Sequence, residues 1–344
     1  MAQTSRELVT KCLRFEKPER MPRQVWTLPW AEARYPQELK ELQVRYADDI
    51  GYAPDVYQPS TRAKGDRYAV GTATDEWGCE FTSVQAGVVG EVKRPLIADL
   101  SEWRSFRPPY EILPLNPGTA REEVALSCGA SDKFMLSGCF ARPWERLQFL
   151  RGTENAMVDV MQATDVRGLI GLIHDFHLRE AEFWASTAVD ALWFMDDWGA
   201  QRQLLIPPPV WRELFKPLYK TYCDIAHANG KYIFLHSDGF IQEIYPDLIE
   251  IGIDAVNSQL FCMDLAYLRE HAKGYITFWG EIDRQHVLPA EDAEVGREAV
   301  RKVARYLYDP AGGIVAQFEF GAGANPATAF AIFDEWARVS AASF

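Results

Sequence analysis

The stretch 190–258, DALWFMDDWGAQRQLLIPPPVWRELFKPLYKTYCDIAHANGKYIFLHSDGFIQEIYPDLIEIGIDAVNS, decides the fold. It holds three short apolar runs, 190–196 (DALWFMD), 231–236 (KYIFLH) and 253–258 (IDAVNS). Their apolar residues run on without strict alternation, as in strands buried on both faces, which is the habit of a parallel sheet covered by helices. Between the first two runs, 208–229 has the helical spacing of an amphipathic segment. Strand, helix and strand repeating in this order is the βαβ unit.

The same alternation extends both ways. Residues 133–138 (KFMLSG), 275–281 (YITFWGE) and 313–319 (GIVAQFE) read as further strands, and 291–307 as a helix between the last two. Residues 20–26 and 48–55 supply two early strands, with a polar helix over 36–46 between them. Eight parallel strands with intervening helices predict an α/β fold of the (β/α)8, or TIM-barrel, type. Thr4 or Ser5 caps a first helix that presents Leu8, Cys12 and Leu13 on one face. Residues 65–95 break the rhythm with β-formers between glycine turns, and predict a β-hairpin insertion after the second strand. The proline-rich 96–118 reads as a surface wrap. All of this fits one domain over 1–344, a length that a barrel with insertions accommodates.

Composition narrows the function. With 49 acidic and 36 basic residues the net charge is -13, which disfavours a phosphate backbone as main partner. No apolar run reaches the roughly 18 residues of a membrane span. Six cysteines, Cys12, Cys79, Cys128, Cys139, Cys223 and Cys262, are scattered with no C-x-x-C pair, so they read as reduced thiols of a cytoplasmic protein. The N-terminal segment is a charged amphipathic helix and not a signal peptide.

Polar residues collect where the chemistry of such a barrel sits, at the C-terminal ends of its strands. Asp196 and Asp197 follow the fourth strand, His236 and Asp238 the fifth. Asn257 and Gln259 end the sixth, Glu281 and Asp283 the seventh, and Glu319 the eighth. Each alone is as good a helix cap as a site residue; together they point to one mouth. Successive strand residues face opposite ways, so only one of Asp196 and Asp197 faces the axis, and the other anchors a loop or caps a helix. His236, Asp238, Glu281 and Glu319 form an oxygen-rich ligand set for zinc, or for manganese or iron. Trp26, Trp30, Trp198, Trp279 and Phe320 lie near strand ends, either as packing or as walls of a flat apolar pocket. Arg284, Gln285 and His286 follow the seventh strand, where an anionic group would bind.

Four segments carry a family resemblance: 16–26 (EKPERMPRQVW), 142–155 (RPWERLQFLRGTEN), 195–257, and 280–289 (GEIDRQHVLP). The chain resembles the superfamily of uroporphyrinogen decarboxylases and cobalamin-dependent methyltransferases, and the third segment is the most specific. True decarboxylases of this kind carry an arginine-rich N-terminal block that grips porphyrin carboxylates. Here the matching stretch, residues 23–30, keeps Arg23 alone, a poor clamp for eight carboxylates. In the methyltransferase branch a His-x-Cys pair and a later cysteine bind zinc and activate a thiol. Here the pair reads His236-Ser237-Asp238, and Glu319 and Phe320 stand where the later cysteine would fall.

The resemblance therefore implies a methyltransferase-like enzyme with a harder ligand set, suited to an oxygen-bearing substrate such as a methoxylated aromatic. A metal would stabilise the leaving oxygen. The methyl acceptor would be a corrinoid carried by a partner protein, since neither a second α/β domain nor a D-x-H-x-x-G stretch is present. Asp196, Asp197 and His236 are the candidate catalytic residues; Arg23, Trp26, Trp198, Asn257, Trp279 and Arg284 the candidate substrate contacts. The alternative is a decarboxylase of a porphyrinogen or smaller carboxylate; a non-catalytic binding barrel is the reading from outside enzymology.

Overall fold

A computed structural model describes residues 2–162 and 164–341. Eight parallel strands form the central sheet: β1 (Arg23–Thr27), β2 (Ile50–Tyr52), β3 (Phe134–Cys139), β4 (Ala191–Met195), β5 (Tyr232–Ser237), β6 (Ala255–Ser258), β7 (Thr277–Trp279) and β8 (Ile314–Phe320). Their order runs β1-β8-β7-β6-β5-β4-β3-β2, so each strand from β2 to β8 lies beside its successor and β8 returns to β1. This is the predicted α/β barrel. The strand bounds fall within about three residues of those read from the apolar runs, as expected of assignments at frayed ends.

The remaining seam, between β1 and β2, is held by one backbone bond and by aspartate side chains. Asp49 N–H donates to Arg23 O at 2.9 Å, Asp49 Oδ2 accepts from Arg23 N–H at 2.9 Å, and Asp48 Oδ1 accepts from Val25 N–H at 2.9 Å. Arg20 and the Ser5 hydroxyl, each 2.6 Å from an Asp49 oxygen, complete the shell of that buried carboxylate.

The helix Ser5–Leu13 begins with a capping box between Thr4 and Glu7. Its Val9, Cys12 and Leu13 join the barrel interior with Ile50, Phe134, Leu136, Phe234 and Val315, which closes the N-terminal end with apolar side chains. Trp193 and Trp279 belong to the same cluster. A larger core lies between the strands and the surrounding helices.

The insertion after β2 is a three-stranded antiparallel sheet, Gly71–Thr74, Glu80–Ser83 and Glu91–Val92. It is moored by Arg146, which is buried, pairs with Asp75 and Glu76, and lies 4.7 Å over the ring of Trp77. The single helix expected over 208–229 is two helices, Pro208–Leu214 and Lys216–Ala228, broken at Phe215. Pro217 explains the break, because it lacks the N–H an unbroken helix would need there and is tolerated only in a helix's first turn. The surface wrap over 96–118 contains two short 3-10 turns and leads into the helix Pro117–Gly129. Among the described residues, no helix is long and apolar enough to cross a membrane.

Candidate metal centre at the barrel mouth

His236, next to last in β5, is buried with its ring at the top of the barrel. Its Nδ1 lies 2.7 Å from Asn257 Oδ1 on β6. Asn257 Nδ2 donates to Trp279 O on β7 and to Gln317 Oε1 on β8, the latter at 2.9 Å. Both amide hydrogens of Asn257 are thereby used, so its Oδ1 is the acceptor and His236 Nδ1 carries a hydrogen. The Nε2 edge is left for the mouth, the arrangement by which an outer partner orients a ligating histidine.

That edge meets two carboxylates. Asp197 Oδ1 is 3.5 Å from Nε2 and Asp238 Oδ1 is 3.6 Å from it. The three side chains offer ligand atoms that all lie within 4.8 Å of one another. Two ligands of a tetrahedral zinc, each about 2.0–2.1 Å from the ion, stand ~3.4 Å apart. The separations from Nε2 therefore fit a shared ion. Asp238 Oδ1 is buried and has no hydrogen-bond partner, an open lone pair aimed into the centre. Burial alone would lower the pKa of His236; Asp238 and Asp197 outweigh it and hold the imidazole above its ordinary value.

Local backbone fixes both aspartates. Asp238 N–H donates to Asp197 Oδ1 at 2.9 Å, and Asp238 O accepts from Gly199 N–H at 3.0 Å. A Cβ on Gly199 would stand 2.2 Å from Phe240 N, so only glycine allows the two loops to touch. Gly239, at φ +76°, makes the turn that follows.

The predicted ligands divide. His236 and Asp238 join Asp197, whereas Glu281 and Glu319 turn to Arg284 and fall outside the only cluster of this kind among the described residues. Arg284 Nη2 contacts Asp238 Oδ2, its Nη1 is 3.1 Å from Glu319 Oε1, and its Nε is 3.7 Å from Glu281 Oε1. Glu281 is 1% exposed and neither of its oxygens is hydrogen-bonded. Burial pushes its carboxyl up to about 8 against the pull of Arg284, with Asp238 and Glu319 adding repulsion.

Asp196 accepts from Trp144 N–H at 2.9 Å, Glu145 N–H at 2.8 Å and the Tyr219 hydroxyl at 2.6 Å. It anchors the first turn of the helix Pro143–Arg151 and is spent there, so Asp197 is the aspartate of this pair that faces the mouth. Arg23 begins β1 at the opposite end of the barrel, where it reaches Ala47 O and lies 5.4 Å over the Tyr46 ring. Trp198 stacks on Trp144 at 5.1 Å and donates to the Tyr219 hydroxyl, as packing behind the site. Phe320 is buried against Tyr35, and Trp30 packs under Gly87 of the insertion. Gln285 N–H and His286 N–H both donate to Asp283 Oδ1, and the His286 side chain is largely exposed.

Of the expected aromatics Trp26 and Trp279 remain at the site, and Trp193 and Tyr52 complete the floor. Trp26 lies 5.3 Å from the His236 ring, 5.1 Å from Trp279 and 6.0 Å from Trp193, and Trp193 lies 5.7 Å from Tyr52. Sequence reading missed Trp193 because it sits inside a strand, where a tryptophan looks like core. It also missed Arg142 and Glu145. Glu145 lies in the first turn of the helix after β3, 3.8 Å from Arg142, with its other oxygen buried and unpartnered. Burial raises it to about 7 despite Arg142, and Asp197 pushes the same way. Its signal was present in RPWERLQFLRGTEN, a carboxylate just past a strand end.

Comparison with known proteins gives a family for this architecture. Residues 69–337 match the family model for uroporphyrinogen decarboxylase (URO-D). Among curated proteins no sequence match is found. A solved structure described as a methyltransferase from Methanosarcina mazei superimposes with a TM-score of 0.66 at 13% identity, covering 97% of this chain and 98% of that one. That likeness is one of fold. An endo-β-1,4-xylanase from Gloeophyllum trabeum is more distant, with a TM-score of 0.37 at 11% identity over 63% of this chain and 80% of that one.

Proposed function

We propose that this chain, which belongs to the uroporphyrinogen decarboxylase family, transfers a methyl group from a small methylated compound to a corrinoid carried by a partner protein. A methoxylated aromatic is the substrate class we favour. The observation that carries the reading is the convergence of His236 Nε2, Asp197 Oδ1 and the unpartnered Asp238 Oδ1 on one point. One nitrogen and two carboxylate oxygens make an open three-ligand set of the kind found in catalytic zinc sites.

A divalent ion held there would supply Lewis acidity to the ether oxygen as the C–O bond breaks. In the overall reaction the methyl group leaves as a cation equivalent to the reduced corrinoid, the bonding pair stays on oxygen, and that oxygen takes a proton. His236 is pre-set for its part, since Asn257 holds the Nδ1–H and leaves Nε2 for the ion. Burial raises the carboxyls of Glu145 and Glu281, which makes them the candidate proton donors to the leaving oxygen. Trp26, Tyr52 and Trp193, with rings tilted to one another, offer aromatic walls beside His236 for the ring of the substrate.

The decarboxylase alternative needs a free cation to receive the substrate carboxylate. Arg284 is engaged by Asp238 and Glu319, and Arg142 lies beside Glu145, so the mouth favours the methyl-transfer reading. The test is twofold. Zinc or cobalt(II) titrated into the purified chain should bind at one equivalent, and binding should be lost in His236→Ala. The chain should then demethylate a methoxylated aromatic when free cob(I)alamin is supplied, with phenol and methylcobalamin formed together. Conversion of uroporphyrinogen to coproporphyrinogen by the metal-free protein would overturn the reading.

A further inference from the structure

The carboxylate of Asp238 is divided between two neighbours. Its Oδ2 is held by Arg284 Nη2, and its Oδ1 stands buried and unpartnered 3.6 Å from His236 Nε2. Its backbone has little freedom, since the N–H is bound to Asp197 Oδ1 and the carbonyl to Gly199 N–H. What remains is rotation of the short side chain, and the guanidinium fixes that rotation. Arg284, in the loop after β7, is in turn braced from β8 by Glu319 at 3.1 Å, while Glu281, three residues before it in the same loop, lies 3.7 Å from its Nε without a hydrogen bond.

We propose that Arg284 is a positioning residue for the metal centre: by gripping Asp238 Oδ2 it turns Oδ1 toward His236 Nε2. This rests on the metal reading above. It reassigns Glu319 from ion ligand to brace of the arginine that aims one, and leaves Glu281 as a buried carboxyl beside that arginine. A planar guanidinium suits this role because its fixed fork can engage separate carboxylates at once, which a lysine ammonium does with less directional control. Two electrostatic effects oppose each other. The guanidinium repels an incoming dication, but Asp238 and Glu319 offset its charge. Loss of an outer partner that orients a ligand typically costs about 10–100-fold in metal affinity, and we expect orientation to dominate.

The experiment is a titration of the full chain with zinc and with cobalt(II), for the wild type, Arg284→Gln, Arg284→Lys, Asp238→Asn and the double variant Arg284→Gln/Asp238→Asn. Arg284→Gln should weaken binding by about 10–100-fold, and Arg284→Lys should recover part of the loss. The double variant should bind no worse than Asp238→Asn alone, because Arg284 acts through Asp238. Glu319→Gln, which removes one brace and leaves both aspartates intact, should give a smaller loss in the same direction and stands in if Arg284→Gln fails to fold. Unchanged or tighter binding in Arg284→Gln, or losses that multiply in the double variant, would overturn the proposal. If the wild type binds neither ion, the metal reading falls and this inference with it. If the wild type binds and Arg284→Gln binds equally well, only this inference falls.

Discussion

The residue that most rewards close reading is His236, whose tautomer is set by a buried amide on the neighbouring strand. Because Asn257 spends both hydrogens on Trp279 and Gln317, Nδ1–H is fixed and Nε2 takes whatever the mouth supplies. The nearby charges of Asp238 and Asp197 favour a proton there and hold the imidazole above its ordinary value. An incoming ion must displace this proton. Metal affinity should therefore fall as pH drops through that raised value and level off above it; a zinc titration at several pH values checks this, and a pH-independent affinity would remove His236 from the ligand set.

Glu281 permits a second test at the same scale. Its carboxyl, at about 8 in the folded chain against 4.5 unperturbed, binds more protons when folded than when unfolded across that interval. Its contribution to stability is complete below 4.5 and is lost as pH rises through 8. Glu281→Gln should flatten the decline of the unfolding midpoint over that range and raise the midpoint at the alkaline end. Parallel pH profiles for the two proteins would show that the buried carboxyl is not the cause.

At the scale of elements, the mouth is built where loops from neighbouring strands touch. The loop after β4 brings Asp197, the loop after β5 brings Asp238, and they meet backbone to backbone at Gly199 and Gly239. Gly199→Ala forces that contact apart. We expect a loss of about 1–3 kcal/mol in urea unfolding, the usual range for overpacking, together with weaker metal binding as the two aspartates separate. Normal affinity in a destabilised Gly199→Ala would mean that the loops do not set the ligand spacing. These elements were legible in sequence as a pair of strand ends, DD and HSD, but their mutual approach was not. The helix break at Phe215 was legible in principle, since Pro217 lay in plain view within an otherwise continuous amphipathic pattern.

Taken whole, the barrel is completed between its first and second strands by aspartates and not by a strand ladder. Asp49 satisfies Arg20, the Ser5 hydroxyl and the Arg23 N–H at once while fully buried. Asp49→Ala would leave these donors without their acceptor and loosen the grip of the N-terminal helix on the barrel floor. Arg20 is partly exposed and water can take up its charge, so the cost is that of the buried donors left without an acceptor, about 1–3 kcal/mol. Chemical denaturation should register a loss of that order, and a change under about 0.5 kcal/mol would mean that the Asp49 carboxylate does not hold the seam.

Local pattern was enough to specify the alternation of strands and helices, the insertion after the second strand, and the polar residues that mark the strand ends. Those features depend on side-chain period and turn chemistry within a few residues, which a linear sequence carries directly. The composition of the mouth was decided elsewhere. His236 sits with Asp197 and Asp238, while Glu281 and Glu319 sit with Arg284; Trp193 lies in the floor and Trp198 behind it; Glu145 sits with Arg142 while Asp196 anchors a helix. Residues tens of positions apart meet here at distances set by strand register, loop contacts and rotamer. No local period encodes which of several carboxylates at neighbouring strand ends will share a point, because that is settled only when the sheet curls round and the whole ring of strands is in place.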